Sequence, residues 1–347
     1  MGFFDRLWPR KPARPDPQTE QTRALADRLT ELSPPLKLAR DWRARLAPAL
    51  AQSLTYVSDV VRTLPPAHEA SAANWLADPY IHAFFAAPDE IAHVLSRSAE
   101  LHAWFESHPF ANETYAVLGM AMSERRSFGV AQHGDQVHAD VAQTTLSFDD
   151  HQVRVCGETE ADLRALIVQR VVEQIALEGL AQIGADETRR DALEQERALL
   201  RTRLQLLTHH GAGTHRMVGE QAVADAAELA RLEALIVANE QALAALGLKT
   251  DALEHQLSVI CEVLAHPAQH ANVEMRQLRL SPMNVLLDPG AAEAGGVSGA
   301  PGAQIVVPLA HIPASPAGLR AFSLVRFARK DLQPLPRVLD EDSRFVI

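Results

Sequence analysis

Three periods of apolar and polar residues divide the chain. Between residues 18 and 108 the apolar positions recur at helical spacing. "TEQTRALADRLTEL" forms one such stripe and stops before Pro34-Pro35. Leu46, Leu50, Leu54, Val57 and Val61 form a second, in which Pro48 lacks a backbone donor and predicts a kink or a break. "SAANWLADP", "YIHAFFAA" and "PDEIAHVLSRSAELHAWF" predict shorter helices, with Pro88 at a helix start. Trp75, Phe84, Phe85, Trp104 and Phe105 supply a compact core for them. His82, His93, His102 and His108 are scattered among these helices as core or surface residues rather than as a ligand set.

At residue 127 the period changes from 3.6 to 2. Phe128 and Val130 alternate with polar neighbours, Gly134-Asp135 supplies a turn, and Val137, Ala139 and Val141 alternate again. Folding about that turn sets Val130 opposite Ala139 and Phe128 opposite Val141, so the apolar residues share a face. The parity changes at Leu146 and Phe148, which predicts a bulge near Gln143-Thr144. A second turn at Asp150-His151 would set Phe148 opposite Val153 and complete a three-stranded meander. His133, His138 and Asp140 fall on the other face of the first hairpin. They could hold a divalent metal, although alternation alone puts polar residues on a solvated face.

From Glu158 the helical period returns and holds for about fifty residues without a proline. Its first half is densely apolar (Leu163, Leu166, Ile167, Val171, Ile175, Leu180, Ile183) and its second thins to Leu193, Leu200, Leu204 and Leu207. After "THHGAGTHRMVGEQ" a second arm is stricter. Leu229, Leu232, Ile236, Asn239, Leu243, Leu246, Thr250, Leu253, Leu257, Ile260 and Leu264 step by three and four, a heptad seam with two polar members, Asn239 and Thr250. Two arms joined by a Gly-rich turn predict an antiparallel helical hairpin. A pivot near Thr214 sets Leu193 level with Leu235, Ile183 with Gly247 and Ile167 with Cys261. An arm of about 48 residues would be about 70 Å long, so its outer half is expected to project into solvent. Gly179, Gly184 and Gly247 weaken these helices and mark bends or close packing. "NVEMRQLRL", "MNVLL", "AQIVVPLAHI" and "FSLVRFARK" then predict strands, separated by the small-residue loop "DPGAAEAGGVSGAPGA".

The expected fold class is therefore α+β: a helical N-terminal region, an antiparallel β-sheet head, and a long antiparallel coiled-coil hairpin inserted in that head. The domain plan is a tip and Pro-rich linker at 1–17, a helical domain at 18–110, and a head from 127–157 plus 268–330. The hairpin occupies 158–266 with its tip near 209–219, and a tail follows at 331–347.

Composition narrows the function. Net charge is −11, and the arm region 158–266 holds ten Lys/Arg against eighteen Asp/Glu, which repels phosphate backbones. Cys156 and Cys261 lie far apart with no zinc spacing, as expected of two small buried thiols in a reducing compartment. Basic residues are nearly all arginine, a bias of GC-rich bacterial genes, with lysine only at 11, 37, 249 and 330. No apolar run suits a membrane span, and "MGFFDRLWPRKPARPDP" has no secretory core, so a cytoplasmic protein is expected. Gly2 invites myristoylation, but Arg6 stands where Ser or Thr is needed. Phe3, Phe4, Leu7 and Trp8 share one side of a short segment followed by Arg10, Lys11 and Arg14. That pattern suits a weak contact with the inner face of a membrane, or a tail docked on the protein itself.

Nucleophile elbows, phosphate loops, dinucleotide fingerprints, zincin helices and calcium loops are all missing from the sequence. The expectation is a non-enzymatic interaction or scaffold protein that needs no cofactor and acts through the coiled coil on a protein partner or a second copy. The alternative is an enzyme or a small-ligand or metal-binding protein with its site on the head sheet. At the tip, His209, His210 and His215 could gather round a metal, and His210, Gly213, His215 and Arg216 are candidate partner contacts. Gly211 and Gly213 are what a reversal of direction needs, so the stretch reads first as the end of an arm.

Overall fold

The computed structural model describes residues 17–133, 136–213, 219–246, 252–287, 302–311 and 319–335. Helix α1 (Pro17–Leu32) leads through a 3₁₀ turn (Pro34–Leu38) to α2 (Trp42–Arg62). A short strand β1 (His68–Glu69) precedes α3 (Pro79–Phe84), α4 (Pro88–Leu95) and α5 (Ala99–Ser107). Two long strands follow, β2 (Glu113–His133) and β3 (Gln136–Gly157), then α6 (Glu160–Gly213), α7 (Gly219–Ala245) and α8 (Ala252–Ala265). A single turn, α9 (Pro267–His270), leads to β4 (Val273–Leu280), β5 (Ala303–His311) and β6 (Leu319–Ala328). The fold is α+β, and the helical hairpin is inserted in chain order between two strands of one sheet, β3 and β4. Among the described residues no helix is long and apolar enough to cross a membrane.

Contacts group the chain into two compact units. One comprises Met1–Leu54 with Val172–Pro267, the other Thr55–Val171 with Ala268–Ile347. In the second unit the strands run β3-β2-β6-β5-β4, each antiparallel to its neighbour. β5 pairs with β6 at Leu319–Ala321, and β1 adds in parallel at Val325 and Arg326. The ladder does not stop at β4. Beyond Ser281 the chain turns and lays residues 284–287 between β4 and β3. Leu287 N donates to Arg279 O (2.8 Å), Leu146 N to Asn284 O (2.8 Å) and Leu286 N to Thr144 O (2.7 Å). The sheet therefore closes on itself as a small barrel, which satisfies backbone groups that an open edge would leave unpaired.

Alternation fills the barrel. Ala116, Leu118 and Met120 from β2, Leu146 and Phe148 from β3, Leu278 and Leu280 from β4, Ile305, Val307 and Leu309 from β5, and Val325 and Phe327 from β6 share one core. Phe84, Phe85, Ile91, Leu95, Leu101 and Phe105 of α3–α5 join it, with Trp75 and Trp104 packed alongside. Glu124 and Arg276 continue the inward parity of β2 and β4 and meet at 2.7 Å.

The strands and helices depart from several sequence expectations. Pairing in β2 starts at Glu113, well before residue 127. β3 runs straight through Asp150-His151, so there is one long hairpin and no meander. Asp150 adopts φ 49° at a register shift, a conformation that short polar side chains tolerate, and the signal for a turn makes a bulge instead. Arg320 fastens the bulge by donating to Asp150 Oδ2 and Asp150 O, both at 2.7 Å. On either side of Gly134-Asp135, which lie outside the described residues, the expected register holds, with His133 against Gln136 and Ala131 against His138. The shift falls between Gly129 and Ala131 rather than near Gln143, so Phe128 meets Ala142. "SAANWLADP" forms turns, "MNVLL" forms only the closing bridges, and α2 passes through Pro48 without a break.

At the β3–α6 junction Gly157 is required, since a Cβ there would lie 2.8 Å from Leu163 N. Thr159 caps α6 by accepting from Asp162 N (3.1 Å) and donating to Asp162 Oδ2 (2.6 Å). One turn on, Arg164 donates to the carbonyls of Val61, Leu64 and Pro65 at the end of α2 and pairs with Glu160. In the first unit Leu25, Leu29, Leu36, Leu46 and Leu50 are buried, as are Val172, Ile175, Ala176, Leu257, Ile260 and Leu264. Buried Glu173 is matched by Arg28 at 2.9 Å, and Ser53 Oγ donates to Leu264 O.

Gly184 lies inside α6, exposed, with nothing within 4 Å of the Cβ it lacks. Gly184→Ala should stabilise the helix by about 1 kcal/mol, because alanine loses less backbone entropy there. A rise in the thermal midpoint followed by helical circular dichroism checks this, and a fall would show that the glycine serves another purpose.

Candidate functional site

From Val172 to Leu207 α6 keeps one heptad phase. Positions a and d fall on Val172, Ala176, Gly179, Ile183, Asp186, Arg190, Leu193, Arg197, Leu200, Leu204 and Leu207, and every one is buried or half-buried. On α7 and α8 the seam read from sequence is the inward face. Leu232, Asn239, Leu257, Ile260 and Leu264 are buried, while Leu229, Ile236, Leu243, Leu246 and Leu253 are half-buried. Burial falls away from the densely apolar base, as the composition of the first arm implied.

The seam is not one helix. α7 ends at Ala245 and α8 begins at Ala252, with Thr250 and Gly247 outside the described residues. Arg190, at an a position, donates to Leu246 O just past the end of α7 and so closes that helix. The levels differ from those of a simple pivot at Thr214. Leu193 O accepts from Asn239 Nδ2 at 3.1 Å, one turn beyond the expected Leu235, and Gly179 lies against Ile260 and Val263. Between these two contacts α6 spends fourteen residues (179 to 193) and the returning chain twenty-one (239 to 260).

Charged flanks fix the antiparallel sense. When two helices run in opposite directions, the e rows of both lie on one flank and the g rows on the other. Arg201 and Glu240, both at e, pair at 2.7 Å, and Arg203 and Glu228, both at g, pair as well. Asn239 adds a polar rung, with Nδ2 also reaching Glu196 at 3.0 Å while its buried Oδ1 has no partner. Such a residue specifies register at some cost in stability.

At the outer end α6 continues to Gly213, so Gly211 is helical and does not itself make the reversal. Residues 214–218, with His215 and Arg216, lie outside the described residues, as do the side chains of His209, His210 and residues 130–140. His133, His138 and Asp140 thus have strand positions but no described side chains. Phe3, Phe4, Leu7 and Trp8 are outside as well. Among the described residues no three His, Cys, Asp or Glu side chains come together as a metal site. His82 and His102 each engage a main-chain carbonyl at 2.9 Å, from Pro282 and Ser96. Cys156 and Cys261 are free and half-buried; burial, reinforced by Glu100, pushes the Cys156 thiol up to about 12, and burial also raises Cys261.

One group in the head escaped the sequence reading. His68 on β1 meets Asp78 at 2.7 Å (Nδ1 to Oδ2), both largely buried, and its ring stacks on Tyr80 at 3.9 Å. Asp78 caps α3 by accepting from Tyr80 N (2.8 Å), and Tyr80 Oη accepts from Val306 N (3.1 Å). Burial pulls the Asp78 carboxyl upward, but His68 and the helix amides outweigh it and hold it below its ordinary range. His68 Nε2 is buried without a partner. A carboxylate on one imidazole nitrogen orients the ring and leaves the other for a ligand or a proton.

Asp78→Ala should cost the head about 1–2 kcal/mol at neutral pH through the lost cap. A carboxyl held below its unfolded value stabilises above that value and stops doing so as pH falls through the folded one. The difference between wild type and variant in calorimetry should therefore vanish on acidification; a constant difference would contradict the assignment. No protein-family model, no curated protein and no solved structure matches this chain.

Proposed function

We propose that the chain is a non-enzymatic protein–protein interaction or scaffold protein that works through its antiparallel coiled coil. One observation carries this reading. Leu199 (72%), Leu206 (55%), Leu235 (43%) and Val237 (52%) lie exposed on the outer half of the arm, away from the seam that holds the two helices together. Large apolar side chains on a helix pair already zipped by its own seam and flanks suit a further helical partner. The two free, separated thiols fit a reducing compartment, and we place the protein in the cytoplasm. A photo-crosslinking amino acid at Leu206 in living cells should give protein adducts, whereas the same probe at Phe110, exposed on the head, should give few. Equal yields at the two positions would remove the arm from the proposal.

A second reading, a small-ligand site on the head sheet, is favoured by the unpartnered His68 Nε2. Thermal-shift screening with divalent metals and small anions should then find a stabiliser whose effect is lost in His68→Gln and kept in His82→Gln. A screen in which nothing shifts, or in which both variants respond alike, removes it.

A further inference from the structure

We propose that the groove between α1 and α2 is the seat of this chain's own N-terminal segment, with Phe3, Phe4, Leu7 and Trp8 filling it.

The groove belongs to the first compact unit. Thr19, Thr22, Arg23 and Ala26 line it from α1, and Arg43, Ala44, Ala47 and Ala51 from α2, around a volume of about 490 Å³. Steps of three and four put the first set on one face of α1 and the second on one face of α2. The two helices run in opposite directions. Counting back from the Asp27–Arg43 pair (2.9 Å), Ala26 comes level with Ala44, Arg23 with Ala47 and Thr19 with Ala51. The large apolar residues of both helices are spent elsewhere. Leu25 and Leu29 of α1 and Leu46, Leu50 and Leu54 of α2 are buried, and Arg28 reaches Glu173 of α6. The groove walls are left with four alanines, two threonines and two arginines, and Ala44 is exposed while Ala47 and Ala51 are half-buried. Small side chains on both walls leave room for large ones, and the volume lies within the range of about 300–1,000 Å³ typical of pockets for apolar ligands.

The occupant is argued from what adjoins the groove. Its Thr19–Ala51 end lies two residues from Pro17, where the segment joins α1, and its far rung is about 10 Å further along the helices. The linker from Pro9 to Asp16 has prolines at 9, 12 and 15, which oppose one continuous helix with α1. Extended, its eight residues span about 25 Å, so the tether reaches every level of the groove. A tether this short holds the segment at an effective concentration of about millimolar, which a solute or a second copy would have to match from solution. Composition fits as well. Phe3, Phe4, Leu7 and Trp8 are the large apolar side chains that the alanine walls lack, and Arg23 and Arg43 on the rim have the sign that suits Asp5. Seated there, the aromatic side chains are withdrawn from membranes and from other proteins.

A photo-crosslinking amino acid in place of Phe4, in the full chain, tests this. Irradiating an equal mixture of isotope-labelled and unlabelled protein should give adducts within 19–26 and 43–51, each joining residues of one isotope only. Ala47→Glu should cut their yield at least about 10-fold, because a carboxylate would be covered by aromatic rings, and Ala44→Glu should do the same. Unchanged helical circular dichroism shows that the fold persists, and Ala44, being exposed, keeps the test open should Ala47→Glu unfold. Phe110→Glu, exposed on the head, should leave the yield as it was. The groove adducts should also persist when phosphatidylglycerol vesicles are present. Adducts that join both isotopes would give the groove to a second copy, and lipid adducts in their place would give the segment to a membrane; either overturns the proposal. Adducts only outside the groove, no adducts at all, or a yield indifferent to both glutamates overturns it too.

Discussion

The pairing of β2 with β6 is the constraint on which the rest of the structure depends. Tyr115 meets Arg326 and Leu118 meets Ser323, partners about two hundred residues apart in the chain. Loop-closure entropy grows only logarithmically with length, yet pairings this distant form slowly because their reward comes last. The helical excursion eases the problem. Its seam brings Gly179 against Ile260, so local pairing of the two arms shortens the effective separation between β3 and β4. Closure of the sheet by residues 284–287 then leaves β4 and β3 joined through a common neighbour, which fixes the register from both sides.

Within the arm each row has a separate duty. The a and d rows hold the helices together at the base, where Val172, Ala176, Ile183, Leu257, Ile260 and Leu264 exclude water. Nearer the middle the same rows turn polar, with Asp186, Arg190 and Asn239, and there they set alignment more than stability. Arg190 meets the last carbonyl beyond α7, and the unpartnered Oδ1 of Asn239 marks where specificity outweighs burial. The e and g rows then close the outer half by charge.

Much of this was legible in sequence, and the misses have physical causes. The seam, the hairpin sense and the β-strands after it follow from periodicity alone. The first half of β2 was hidden because "ETYAVLGMAM" is apolar on both faces, so the period of two is faint where the strand is most buried. The bulge at Asp150 uses the residues of a turn, since Asp tolerates a left-handed backbone in either setting. The break between α7 and α8 left no trace because the returning chain carries a surplus of one heptad, which keeps the seam in phase on both sides. His68 and Asp78 sit in irregular chain joined to the sheet by a two-residue strand, and no period announces such a pair.

That surplus heptad has an evolutionary consequence. A repeat of seven can be looped out of one helix while its continuous neighbour keeps the register, so the returning strand of the arm can lengthen or shorten in steps of seven without repacking the base. Length variation among descendants of this chain should accordingly collect between Leu246 and Ala252, with the seam on either side carried along unchanged.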